Sequence, residues 1–460
     1  MASNTPIPDL PKWTFLGGDG RLARRVGKPV RRFLHVEASG GVVLLLAAIA
    51  ALIWANSPWS DSYYNFWHTD FELVIGSYHM GGESHYLTLE TLVNDALMAI
   101  FFFVVGLEIK RELVSGQLKS PRAAALPVIA AIGGMVFPAV LFVAFNPSGD
   151  ASSGWGIPMA TDIAFAVGVI SLLGNKIGRP LKVFLLSLAI ADDIGAIIII
   201  AIFYTSDLSM SWFIAALVIM GIIILLRRLH IWYIPIYIAL GTALWLATFE
   251  SGIHATIAGV ALGLATPAKP QQTKEEGLAA LEWLRDKGKG ENIYPVDVRL
   301  TAMELRESRV SVAERIESAL HPISSFIIIP IFALANAGVN MGDGLLQDAV
   351  SSPITWGVGL GLIIGKIFGI TFMTWLGMKL PFTSAPPGLN FLSIIGLAAT
   401  AGIGFTVSLF ITNLAFDDMT LINESKIGIL FASVLAGILG LLLLRAGTKG
   451  SDEPVTNSSE

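Results

Sequence analysis

The chain has 460 residues, 54% of them hydrophobic and 14% charged, against about 25% charged in an average soluble domain. That balance excludes a water-soluble globule and identifies an integral membrane protein. There is no cysteine, which excludes disulfides and cysteine-ligated metals. The formal net charge of −5 says little, because the placement of positive charge is what orients a membrane protein.

Residues 1–36 read as a cytoplasmic N-terminal segment, basic from Arg21 to Arg32 and expected to be disordered over its first sixteen residues. The apolar run that follows is too long for a signal-peptide core and reads as an uncleaved first span. Apolar segments of near-spanning length, about 17–25 residues, recur to give twelve predicted transmembrane helices within a transporter domain at 37–445. Their limits are Gly40–Asn56, Leu92–Leu107, Ala123–Phe145, Gly156–Gly174, Leu181–Tyr204, Met210–Leu226, Ile231–Thr248, Gly252–Thr266, Ile323–Asn340, Trp356–Met378, Leu389–Ala415 and Ile427–Leu444.

Three other stretches punctuate the chain. The outer loop 57–91 contains FELVIGSYHM-GG-ESHYLTL, two strand-like runs predicted to form a hairpin around Gly81-Gly82. An isolated hairpin is marginal in water, which points to pairing with a second subunit, a homodimer. The inner loop 267–320 is a charged cytoplasmic connector with a helical patch near Glu275 to Lys287, and 446–460 is a disordered cytoplasmic tail. Nothing in these stretches points to nucleic acid; the surroundings are membrane lipid.

Loop charge fixes the orientation. Of 30 Lys and Arg residues, 28 fall on one side of the membrane, Lys426 falls at the outer mouth of the last segment, and Lys366 lies within a span. Positive charge marks the cytoplasmic side. Both termini are therefore predicted inside, with an even number of spans.

Four ionisable residues lie deep in the apolar segments: Asp162 in the fourth, Asp192 and Asp193 in the fifth, and Lys366 in the tenth. Each costs roughly 2.5–3.5 kcal/mol at mid-membrane, about 10 kcal/mol together. Three negatives against one positive leave two charges to be supplied by a bound cation or bound protons, which is the physical core of a cation/proton exchanger. Adjacent helical residues point about 100° apart, so one of Asp192 and Asp193 is expected to face the ion while the other meets a partner. Lys366 is the deep cation available for that role.

The fourth and eleventh segments carry GIPMATDIAFAVG (Gly156 to Gly168) and GLAATAGIGFTVS (Gly396 to Ser408). Both place glycine, threonine and small residues mid-span, where a membrane demands unbroken hydrogen bonding. Paired interrupted segments in corresponding halves point to a transporter site. If both break, Asp162 would balance the positive N-terminal ends and Lys366 the negative C-terminal ends.

The motifs ATDIAFAVG, SLAIADDIGAI, GLEIKREL, SGIHATIAGV, GIGFTVSLFI and IGKIFGI resemble the NhaA family of bacterial sodium/proton antiporters, across all twelve spans in order. The resemblance implies an inverted repeat of spans 3–5 and 10–12, with broken spans 4 and 11 crossing. It also implies electrogenic exchange of one sodium or lithium ion for two protons, with no cofactor and no enzymatic reaction. By motif, Asp193 resembles the principal sodium ligand, and Asp192 the residue that alternates between the ion and Lys366. Thr161 and Asp162 would line the crossing. Glu108, with Arg111 and Glu112 beside it, resembles the family's acidic pH-response residue; His254, Glu317 and His321 resemble further pH-response residues. The pattern departs at Ser318, where the family's best-known member has a histidine, and in the length of the 267–320 loop.

The expected activity is therefore a pH-regulated sodium/proton antiporter serving pH homeostasis. The competing readings are a sodium-coupled symporter of an organic anion on a related fold and an intramembrane aspartyl protease. The symporter needs a half-helix N-terminus not occupied by Asp162. The protease needs two aspartates converging from separate helices.

Overall fold

In the computed structural model, the described residues are 38–70, 73–75, 78–80, 87–174, 177–205, 208–229, 231, 234–270, 274–287, 294, 296–298, 300–302, 310–342, 344–383 and 390–448. The expectations for the N-terminal segment, for Gly81-Gly82 and for residues 449–460 lie outside them. Apart from one small hairpin, the ordered elements are helical. In chain order they begin with α1 (Ala38–Ala55), α2 (Ser60–Trp67), α3 (Leu89–Val114) and α4 (Pro121–Phe145). A 3₁₀ segment, Asp150–Met159, leads into α5 (Ile163–Ser171), α6 (Arg179–Phe203), α7 (Met210–Arg228), α8 (Ile234–Glu250), α9 (Thr256–Ala265) and α10 (Lys274–Lys287). The series ends with α11 (Val312–Asn336), α12 (Leu345–Ser351), α13 (Pro353–Met378), α14 (Phe391–Ala401), α15 (Phe405–Ala415) and α16 (Met419–Thr448).

Among the described residues, seven helices are long and apolar enough to cross a membrane, or ten if each of three bent pairs is one span. A polytopic, predominantly helical membrane protein follows. Two of the bends fall where the sequence carries its paired small-residue motifs. The 3₁₀ segment and α5 meet at 40°, and α14 and α15 at 47°. The third, 116° between α1 and α2, turns the chain sharply after the first span.

Ile75 pairs with Tyr78 in the antiparallel hairpin of β1 (Leu73–Ile75) and β2 (Tyr78–Met80). Two helix boundaries differ from the sequence reading. The ninth span begins at Val312, not Ile323, because the Ser311 side chain accepts the Glu314 N–H at 3.2 Å. That Ser-x-x-Glu cap sets the helix start. The last helix begins at Met419, where Asp418 accepts the Thr420 N–H at 2.8 Å. The earlier start draws Lys426 out of the outer loop and into α16, where it is 5% exposed.

The contacts divide the chain into two units. One comprises Met1–Glu90, Ala125–Ala196 and Ser325–Glu460; the other comprises Thr91–Ala124 and Ile197–Ser324. In the first, an apolar cluster joins Phe184, Leu185 and Leu188 of α6 to Leu397, Ala398 and Ala401 of α14, Ile370 of α13 and Leu444 of α16. In the second, α3 and α9 pack backbone to backbone through glycine. A Cβ on Gly259 would lie 2.1 Å from the Ala99 carbonyl, and one on Gly263 would lie 2.8 Å from Gly106 Cα.

Gly259→Val is therefore expected to destabilise the protein by about 1–3 kcal/mol, lowering the melting midpoint measured in detergent. Gly221→Ala, with nothing within 4 Å of its Cβ, is expected to leave that midpoint unchanged.

Candidate functional site

The site is built in the first unit, where two helices stop in mid-course. Each break leaves backbone groups that the helix itself cannot satisfy, and side chains from the opposite break meet them. Asp162 caps α5 by accepting the Phe165 N–H on Oδ1 at 2.9 Å. Its Oδ2 accepts the Thr406 hydroxyl at 2.6 Å and the Thr406 N–H at 3.1 Å, so the same carboxylate caps α15. The Asp162 N–H donates in return to the Ile403 carbonyl at 2.7 Å. Thr161 donates to the Ala401 carbonyl at the end of α14 at 2.8 Å, and Ser408 donates to the Ile157 carbonyl at 2.8 Å.

Each helix N-terminus carries roughly half a positive charge. Two of them facing Asp162 amount to about one charge, so this carboxylate is matched by backbone alone. Its burial, 2% exposed, is thereby tolerated without an ion.

Lys366 of α13 is fully buried and donates to Asp192 Oδ2 at 2.7 Å and to Thr161 Oγ1 at 3.0 Å. The 100° separation of neighbours on α6 assigns the two aspartates different surroundings. Asp192 is 1% exposed and paired with Lys366, whereas Asp193 is 8% exposed. The second Asp192 oxygen, Oδ1, is buried with no hydrogen-bond partner among the described residues. A carboxylate oxygen left so in a low-dielectric interior is costly, and a cation or a proton is the chemistry that relieves it.

The expected site residues thus separate into two groups. Asp162, Thr161, Asp192 and Lys366 are joined by hydrogen bonds in the first unit, and Asp193 is adjacent in sequence. The pH-response candidates lie in the second unit. There Arg111 holds Glu317 at 2.6 Å and lies 4.0 Å from Glu112, and Glu108 lies within electrostatic reach of all three. His321 is exposed one turn beyond Glu317. His254 stands apart from this cluster, with Nδ1 3.8 Å from Asp95 Oδ1.

Two residues went unassigned in the sequence. Thr406 stands just beyond the Gly402–Gly404 break, in a position mirroring that of Thr161 beside the first break. Asp95 lies near the start of the second apolar segment, where it meets His254.

Two interrupted helices, joined at their breaks by hydrogen bonds beside a buried carboxylate–lysine pair, are the arrangement expected of an ion-translocating membrane protein. A family model described as Na+/H+ antiporter 1 matches residues 31–444. The Na(+)/H(+) antiporter NhaA 2 of Syntrophotalea carbinolica is 45% identical over 425 residues, covering 91% of this chain and 96% of the relative. The Na(+)/H(+) antiporter NhaA 2 of Sorangium cellulosum is 42% identical over 456 residues, covering 96% and 95%. The Na(+)/H(+) antiporter NhaA of Rhodopirellula baltica is 42% identical over 427 residues, covering 91% and 93%. The chain belongs to the NhaA family of sodium/proton antiporters, and is a transporter rather than an enzyme.

Thr406→Val removes the shortest donor to Asp162 and is expected to destabilise the fold by about 1–3 kcal/mol. Thr406→Ser keeps the hydroxyl and is expected to melt within a degree or two of the parent, as measured by thermal unfolding in detergent.

Proposed function

We propose that this protein exchanges a cytoplasmic sodium or lithium ion for two protons across the bacterial inner membrane, with Asp193 and Asp192 as the shared site. The observation that carries the reading is the Asp192–Lys366 pair at 2.7 Å beside an unpartnered Asp192 oxygen. Asp162 is matched by two helix N-termini. Lys366 is one hydroxyl away from the C-terminal carbonyl of α14, through Thr161. When Asp192 takes up a proton, the lysine charge remains set against that negative helix end. Asp192 and Asp193 are then the two charges whose balance must come from exchangeable cations.

The cycle follows. As cytoplasmic pH rises, Asp193 and Asp192 lose protons, Lys366 gives up Asp192, and sodium is held by the two carboxylates with Thr161 at the crossing. The ion leaves on the outer side, and outer protons reload the carboxylates. One positive charge moves against two, so exchange carries net charge. Asp162 occupies both half-helix N-termini, which leaves neither for the carboxylate of an organic anion and disfavours a symporter.

The architecture we infer has twelve spans: the seven long helices, the three bent pairs, and the two shorter apolar helices Pro235–Glu250 and Thr256–Ala265. Both termini are cytoplasmic, as the loop charges require. Spans 3–5 and 10–12 form the inverted repeat that brings the breaks together, and the outer hairpin is the surface for a homodimer. The Glu108, Arg111, Glu112 and Glu317 cluster, with His254 and His321, tunes activity to pH.

Everted vesicles containing Asp193→Asn are expected to show no sodium-driven dequenching of a pH dye; dequenching would refute the assignment. Lys366→Arg, which cannot release its proton, is expected to keep exchange that responds to membrane potential. Electroneutral exchange by that variant would make Lys366, and not Asp192, the second proton carrier.

A further inference from the structure

Lys366 follows immediately on an irregularity in α13. Residues Gly361–Gly365 form a single π-helical turn inside an otherwise α-helical span. Such turns take up one extra residue and recur at functional sites. The sequence here also repeats glycine every fourth residue, at Gly357, Gly361, Gly365 and Gly369.

All four glycines face α4 or the residues that follow it. A Cβ on Gly357 would lie 2.6 Å from Asn146 Nδ2, one on Gly361 2.7 Å from Pro158 Cβ, one on Gly365 2.7 Å from Pro138 Cα, and one on Gly369 2.2 Å from the Gly133 carbonyl. In a regular α-helix, four residues turn about 400°, so a four-residue stripe drifts about 40° at each step. Over the three steps from Gly357 to Gly369 the drift is about 120°, enough to carry Gly369 off the face that Gly357 presents. One extra residue in a wide turn takes back about 100° of this. The π turn therefore keeps the glycines against α4 and the Pro158 ring. It also sets the direction of the very next side chain, which is Lys366.

We propose that Gly361 and Gly365, held in this π turn against Pro158 and Pro138, are positioning residues for the exchange reaction: they aim the Lys366 ammonium at Asp192. The proposal rests on the reading of the Lys366–Asp192 pair as part of the transport site. Contacts from α4 support it from the other direction, since the Gly134 Cβ position lies 3.6 Å from Lys366 Cδ and 2.9 Å from Ile370 Cγ1. The lysine stem is thus seated on α4, and a displacement of α13 there is transmitted to the ammonium.

The test compares Gly365→Ala with Gly359→Ala. Gly359 is on the same helix, but its Cβ would meet only the Gly428 carbonyl at 3.9 Å. Gly365→Ala is expected to lower the maximal exchange rate by at least about tenfold with a smaller change in the sodium concentration for half-maximal exchange. Gly359→Ala is expected to stay within about twofold. The discriminating readout is a double-mutant cycle in the melting midpoint between Gly365→Ala and Lys366→Ala. If Gly365 acts through the lysine, its effect shrinks when the lysine is absent. Equal destabilisation with and without Lys366 would overturn the positioning role. Because the cycle needs no transport, a coupled pair with unimpaired exchange would refute the transport role of Lys366 while leaving the positioning intact. Should Gly365→Ala not fold, Gly361→Ala takes its place, since its nearest contacts are with the Pro158 ring and the backbone, the Pro138 carbonyl, is 3.4 Å away.

Discussion

Everything in this structure follows from carrying charge where water cannot solvate it. A buried ion pair is a poor stabiliser, because desolvating both partners offsets most of their attraction. The Asp192–Lys366 contact, with both groups almost fully buried, therefore has to be explained by what it does. Removing either partner leaves the other charge buried and unmatched. The interrupted helices answer the same problem. Their ends are fixed partial charges that need no counter-ion, and the chain sets Asp162 against two positive ends and reaches a negative one through Thr161.

Much of this was legible in the sequence because the membrane is a simple solvent. A deep aspartate or lysine in an apolar run stands out by composition, without any knowledge of packing. The 100° between neighbours on a helix was enough to predict different surroundings for Asp192 and Asp193, and Asp192 is the one that meets Lys366. The glycine and threonine in Gly156–Gly168 and Gly396–Ser408 located both breaks.

What escaped the sequence depended on capping and on helical irregularity, which hydropathy does not register. The Ser311 and Asp418 caps extend α11 and α16 beyond their apolar cores, and the second extension buries Lys426. The π turn before Lys366 cannot be seen in composition, although glycine at every fourth position hinted that α13 departs from a straight α-helix. Thr406 was hidden because its partner, Asp162, comes from a segment more than two hundred residues away. In the second unit, Asp95 meets His254, a pairing between segments more than a hundred and fifty residues apart that hydropathy does not register.

In the proposed exchange, sodium and protons occupy the same carboxylates in turn. Sodium added to purified protein in weakly buffered detergent solution tests this directly, because binding to a shared site must expel protons. Proton release is expected to saturate with sodium, to approach two protons per ion, and to vanish in Asp193→Asn. Saturable sodium binding without proton release would contradict the account.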